Sequence, residues 1–115
     1  MISNLAKSVR ETLAEAFPNT LVKEEYYVSY QRTRLFFDFH LPTLDVLVEV
    51  QGRQHHEFVE HFHGDAASFR AQKKRDRLKV DYAIHEEKTL ITIDYDEIPI
   101  SAMDLLKKVE VAQHG

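Results

Sequence analysis

The sequence contains no cysteine. That excludes a disulfide framework and any thiolate-held metal, and it agrees with a reducing compartment. No apolar run approaches the roughly 20 residues needed to span a bilayer. The opening stretch, MISNLAKSVRETLAEAF, alternates charged and apolar residues and lacks the apolar core of a signal peptide. The chain is therefore expected to be soluble and intracellular, in the cytoplasm. Glycine and proline are scarce, with three of each, and no repeat, low-complexity stretch or linker interrupts the chain. The 115 residues are expected to form one domain, 1–115, and 43% hydrophobic residues suffice to fill its core. An excess of positive charge is missing as well. The net charge of −4 argues against a protein that coats DNA by bulk electrostatics.

The basic residues that are present are unevenly placed. Six of the 15 fall in one short run: Arg70, Lys73, Lys74, Arg75, Arg77 and Lys79. Such a stripe suits a protein that grips phosphates near a site. From charge alone, a solvated helix face is the simpler account.

Hydrophobic periodicity gives the element order. Residues 3–17 predict an amphipathic helix capped by Ser3, with Leu5, Val9, Leu13, Ala16 and Phe17 as its apolar stripe. Residues 21–31 are rich in β-branched and aromatic types and predict a strand. In 35–41 and 46–51, apolar residues alternate at period two, the signature of strands with one face in a core. Pro42-Thr43-Leu44-Asp45 between them is a four-residue turn. That loop pairs 41 with 46, 40 with 47, 39 with 48 and 38 with 49. It sets the two apolar series on one shared face and Asp38 opposite Glu49 on the other. A long helix over about 66–87 is capped by Asp65, followed by a strand over 89–95. A last helix over 101–112 is capped by Ser101, with Met103, Leu106 and Val109 inward. The order α-β-β-β-α-β-α defines a mixed α/β fold, a central mixed sheet flanked by helices.

Two carboxylates facing each other across a hairpin repel by roughly 0.2–1 kcal/mol, and by more when partly buried. A cation between them removes that cost, and an all-oxygen donor set with open positions suits Mg²⁺ or Mn²⁺. Asp38 and Glu49 are thus metal-ligand candidates, with the Val50 carbonyl as a third. Exposure to solvent or pairing with arginine explains the same two acids equally well. Gln51 follows Glu49 on the same face of the same strand.

The spacing Asp38, ten residues, Glu49-Val50-Gln51 resembles the PD-(D/E)xK nuclease pattern, with Gln51 where a lysine usually stands. A neutral glutamine orients a water molecule but supplies no charge. The run LFFDFHLPTLDVLVEVQGRQHH, then QKKRDRLKVDYAI and a TLITIDYDEI strand, resembles the very-short-patch-repair endonuclease-like branch of that superfamily. The branch includes repair nucleases, small bacterial proteins and phage homing endonucleases, and the resemblance covers roughly residues 9–98. It implies a restriction-endonuclease-like core and a site made of Asp38, His55 and Asp76, with an acid on the first helix, Glu11 or Glu15, sometimes joining. It also suggests a phage or mobile-element origin.

The chemistry of those residues is consistent with phosphodiester hydrolysis, which needs an activated water and stabilisation of phosphoryl charge. A histidine can take up a proton near neutral pH, and His55 is the candidate general base. At helical spacing Gln72, Asp76 and Lys79 share a face. Asp76 is placed to hold a metal-bound water or orient His55, and Lys79 to replace the missing strand lysine. Arg53, Arg70, Lys73, Lys74 and Arg75 are candidate phosphate contacts, with Gln54 beside them. His56, His61 and His63 offer a loose Zn²⁺ set that no cysteine completes. Tyr26, Tyr27 and Tyr30 are candidates for base stacking or core packing.

The expected activity is that of a divalent-metal-dependent DNA endonuclease. Specificity would come from a homodimer, a separate specificity partner, or a structural feature of the DNA. A catalytically inactive nucleic-acid-binding module of the same fold, and a regulatory protein–protein interaction subunit, are the rival readings.

Overall fold

The computed structural model describes residues 3–52 and 66–115. Its elements are α1 (Asn4–Ala16), β1 (Lys23–Tyr30), β2 (Thr33–Leu41), β3 (Val46–Gln51), α2 (Ala66–His85), β4 (Thr89–Asp94) and α3 (Ala102–His114). Short 3-10 turns lie at Pro42–Leu44 and Tyr95–Glu97. The order is the one the periodicity predicts. The four strands form one mixed sheet in the order β1-β2-β3-β4. The first two pairings are antiparallel and β3–β4 is parallel. The parallel pair needs a crossover, and α2 lies within it.

Local chemistry explains the element ends. The Ser3 side chain accepts from the Ala6 N–H at 3.1 Å, and the Ser101 side chain accepts from the Asp104 N–H at 3.1 Å. Each satisfies a donor that a helix leaves orphaned, worth about 1 kcal/mol. The β1–β2 turn is Gln31-Arg32, with φ of 49° and 63°. Positive φ at both central residues matches the twist of a two-residue hairpin. Asp45 closes the β2–β3 turn at φ 54°.

Helices cover both faces of the sheet. On one face, Ala6, Val9 and Leu13 of α1 and Leu105 and Val109 of α3 pack with Phe39, Leu41, Val46, Val48, Ile91 and Ile93. On the other, Tyr82 and Ala83 of α2 pack with Leu35, Phe37 and Leu47. Buried Thr12 donates to the Ile100 carbonyl at 2.9 Å, fastening α1 to the segment that leads into α3.

Three expectations need correction. Leu35 and Phe37 do not share a face with Phe39 and Leu41; they pack under α2. The β2–β3 register is as expected at 39–48, 40–47 and 41–46, but the backbone ladder stops there. Beyond it, the Asp38 carboxylate rather than the β2 backbone accepts the Val50 N–H, at 2.8 Å. The β1–β2 pairing also skips Glu25, whose φ is 51°, opposite Asp38. Side-chain alternation is re-phased at this point. On α1 the expected stripe holds, with Val9 and Leu13 buried and Ala16 and Phe17 packed on the core; Ala6 and Thr12 join it, and Leu5 at its edge is half-buried. On α3 the inward residues are Leu105 and Val109, while Met103 is 68% exposed.

Candidate active site

Where the β2–β3 ladder ends, a cleft of about 360 Å³ opens. Asp38 and Phe36 of β2, Glu49 and Val50 of β3, and Gln72, Arg75, Asp76 and Lys79 of α2 line it, with Arg34 at its rim. A smaller adjoining hollow brings Gln51 beside Glu49, Asp76 and Lys79. The structure therefore gathers Asp38, Glu49, Gln51, Asp76 and Lys79 from two strands and a helix.

Glu49 is the centre of this group and is only 4% exposed. Lys79 Nζ donates to its Oε2 at 2.9 Å, and the Asp38 N–H donates to its Oε1 at 3.3 Å. The Lys79 ammonium also lies 5.7 Å from the centre of the Phe37 ring. Burial pushes the Glu49 carboxyl up from 4.5 to about 7. The Lys79 charge pulls it back down, and the Asp38 charge adds to the rise. Glu49 is thus a carboxyl poised to exchange a proton near neutral pH, held by a partly buried ammonium.

Among the described residues, no group of three or more His, Asp or Glu side chains is gathered so as to hold a metal ion. Both Glu49 oxygens are engaged, one by Lys79, and one Asp38 oxygen holds the Val50 N–H. As arranged, these donors do not fit a divalent ion, and the place beside Glu49 is taken by an ammonium.

The other candidates divide by position. Of the basic run on α2, Arg75 and Lys79 reach the cleft. Arg70 and Lys74 are exposed, and Lys73 lies 5.5 Å from the Phe69 ring. Glu11 and Glu15 are exposed on α1, which packs on the opposite face of the sheet, and neither lines the cleft. Arg53, Gln54, His55, His56, His61, His63 and the expected cap Asp65 lie outside the described residues. Tyr26 and Tyr30 pack against the α2-side core, where the Tyr30 hydroxyl donates to Asp81 at 2.8 Å. Tyr27 does not. Arg34 and Phe36 were missed from sequence because an uninterrupted alternation of β2 hides the point where the strand leaves β3.

No protein-family model matches the chain, and no solved structure matches it. It is similar to a protein of Invertebrate iridescent virus 6 described as uncharacterized protein 307L, with 37% identity over 75 residues. The match covers 64% of this chain and 38% of the viral protein, so the chain corresponds to well under half of that relative's length. No helix among the described residues is long and apolar enough to cross a membrane.

Proposed function

We propose that the chain is a DNA endonuclease with a restriction-endonuclease-like core, hydrolysing phosphodiesters in the Asp38–Glu49 cleft. The observation that carries this reading is the convergence of Asp38, Glu49 and Lys79 at the end of the β2–β3 ladder. Lys79 supplies from α2 the positive charge that Gln51 cannot supply from β3. Its ammonium would offset the charge that builds on the phosphoryl oxygens. Glu49 would exchange a proton with the attacking water, and Gln51 would orient that water. Arg75 and Arg34 would hold the flanking phosphates. The resemblance to the nuclease family implies Mg²⁺ or Mn²⁺ with Asp38, Glu49 and the Val50 carbonyl as holders. That assignment requires Lys79 to leave Glu49 first.

Supercoiled plasmid incubated with wild type and Asp38→Ala, in Mn²⁺, Mg²⁺ and EDTA, tests the reading. Nicking by wild type and not by Asp38→Ala is the expected result, and its loss in EDTA would mean that an ion displaces Lys79 from Glu49. The same nicking by Asp38→Ala would assign the activity elsewhere. The second reading, an inactive nucleic-acid-binding module, is favoured by one observation: the Glu49–Lys79 pair already neutralises the site without an ion. It predicts binding of DNA with no cleavage in any metal and no metal-dependent gain in stability.

A further inference from the structure

Tyr27 and Phe36 are direct cross-strand partners on the β1–β2 hairpin. Their ring centroids are 5.1 Å apart, tilted at 48°. The Arg34 guanidinium carbon stands 5.5 Å from the centre of the Tyr27 ring. These three side chains belong to neither hydrophobic cluster. Tyr27 is 55% exposed, unlike Tyr26 and Tyr30 on the same strand, which pack toward the core. Cross-strand pairing of aromatics does stabilise a hairpin, by about 0.2–1 kcal/mol. That accounts for two rings in contact. It does not account for their position, because Phe36 and Arg34 also line the cleft that holds Asp38 and Glu49. One ring of the pair and the guanidinium thus border the acidic site, and Tyr27 stands beyond them on β1.

We propose that Tyr27 and Phe36 form a stacking platform for an unpaired base of single-stranded DNA, with Arg34 on the adjoining phosphate. In a duplex, each base face is covered by its neighbours, so an exposed ring has nothing to stack on except a terminal or unpaired base. Single-strand binders pair aromatic platforms with backbone-tracking cations for this reason. Arg34 and Arg75 on the cleft supply those cations, and Arg32 extends the positive run to the hairpin turn. The placement of the base beside the scissile phosphate rests on the nuclease reading; the platform itself rests on the hairpin. Selectivity for a frayed, flapped or single-stranded segment follows from the platform, without a separate sequence-reading domain.

The test is binding in EDTA of a fluorescein-labelled single-stranded oligonucleotide, and of a labelled covalently closed circular duplex that has no terminal base, to wild type, Tyr27→Ala and Tyr27→Phe. Tyr27 is exposed, and a circular dichroism spectrum and melt of each variant confirm that it folds. Tyr27→Ala is expected to weaken single-strand binding by about tenfold or more. Tyr27→Phe should retain it, and duplex binding should be unchanged in both. A 2-aminopurine placed in the single strand should be quenched by wild type and not by Tyr27→Ala. Unchanged single-strand affinity in Tyr27→Ala, or equal losses on both substrates, overturns the platform. If that happens while wild type still nicks plasmid and Asp38→Ala does not, the nuclease reading survives alone. Single-strand binding through Tyr27 by a protein that cuts nothing supports the platform and removes the nuclease reading.

Discussion

Glu49 and Lys79 illustrate how a buried charge pair encodes its own pH dependence. The folded Glu49 carboxyl titrates at about 7, above its ordinary 4.5. The native state therefore binds more protons than the unfolded chain between those values. The stability this gives is fully present below 4.5 and is lost as pH rises through about 7. Lys79→Met removes the attraction that keeps the carboxyl from rising further. Breaking a buried pair in this way costs roughly 3–5 kcal/mol when the abandoned charge persists, and less when it neutralises itself. The variant should thus be close to wild type in chemical-denaturation stability near pH 4.5 and progressively weaker above pH 7. A deficit that does not change with pH would mean that Lys79 acts by packing over Phe37 alone. His40 works in the opposite direction. It is 5% exposed and stacks on Tyr26 at 4.2 Å, and among the described residues neither ring nitrogen has a hydrogen-bond partner. Burial, then the Lys88 and Lys23 charges, hold it below its ordinary 6.5. Its contribution is present above 6.5 and lost as pH falls from there toward its folded value. His40→Phe should therefore flatten the acid limb of the stability profile, which denaturant melts across that range would show.

At the scale of whole elements, α3 offers a direct test of which apolar stripe faces inward. Leu105 is fully buried, whereas its neighbour Leu106 is 42% exposed. Leu105→Ala should cost about 2–5 kcal/mol through the cavity it leaves. Leu106→Ala should stay within about 0.5 kcal/mol of wild type, as exposed positions do. Thermal melts that rank the two in reverse would place the helix in the phase that Met103, Leu106 and Val109 suggest from sequence. The sequence of α3 holds two overlapping apolar stripes, and nothing local to the helix decides between them. Element identity was legible because each strand and helix carries its own period. The β2–β3 register was legible because a one-residue slip would move the valines of β3 to the face of Leu47 and Glu49, separating them from Phe39 and Leu41. The acid pair was legible for the same reason, since Asp38 opposite Glu49 follows from that register. What could not be read was the re-phasing of β2 at Asp38. It depends on a side chain taking a ladder hydrogen bond from Val50, and β2 shows no glycine, proline or insertion to mark it. The cleft, and with it Arg34 and Phe36, arises from that one departure.

The molecule as a whole is acidic, and its cations act by placement rather than by number. Among the described residues, Arg34, Arg75 and Lys79 line the cleft, while Arg70 and Lys74 stand exposed on α2 away from it. If the cleft holds a single strand, about three phosphates are neutralised by these residues. The logarithm of the binding constant should then fall with the logarithm of salt concentration at a slope of about −2. Engagement of the entire basic run of α2 would double that slope to about −4. Anisotropy titrations of single-stranded DNA over a range of salt concentrations distinguish the two. Arg75→Gln and Arg34→Gln should each reduce the slope by about 0.7, and Lys74→Gln should leave it unchanged. A reduction by Lys74→Gln equal to that of Arg75→Gln would move the strand from the cleft to the outer face of α2. The strand would then be held outside the cleft that Asp38 and Glu49 line.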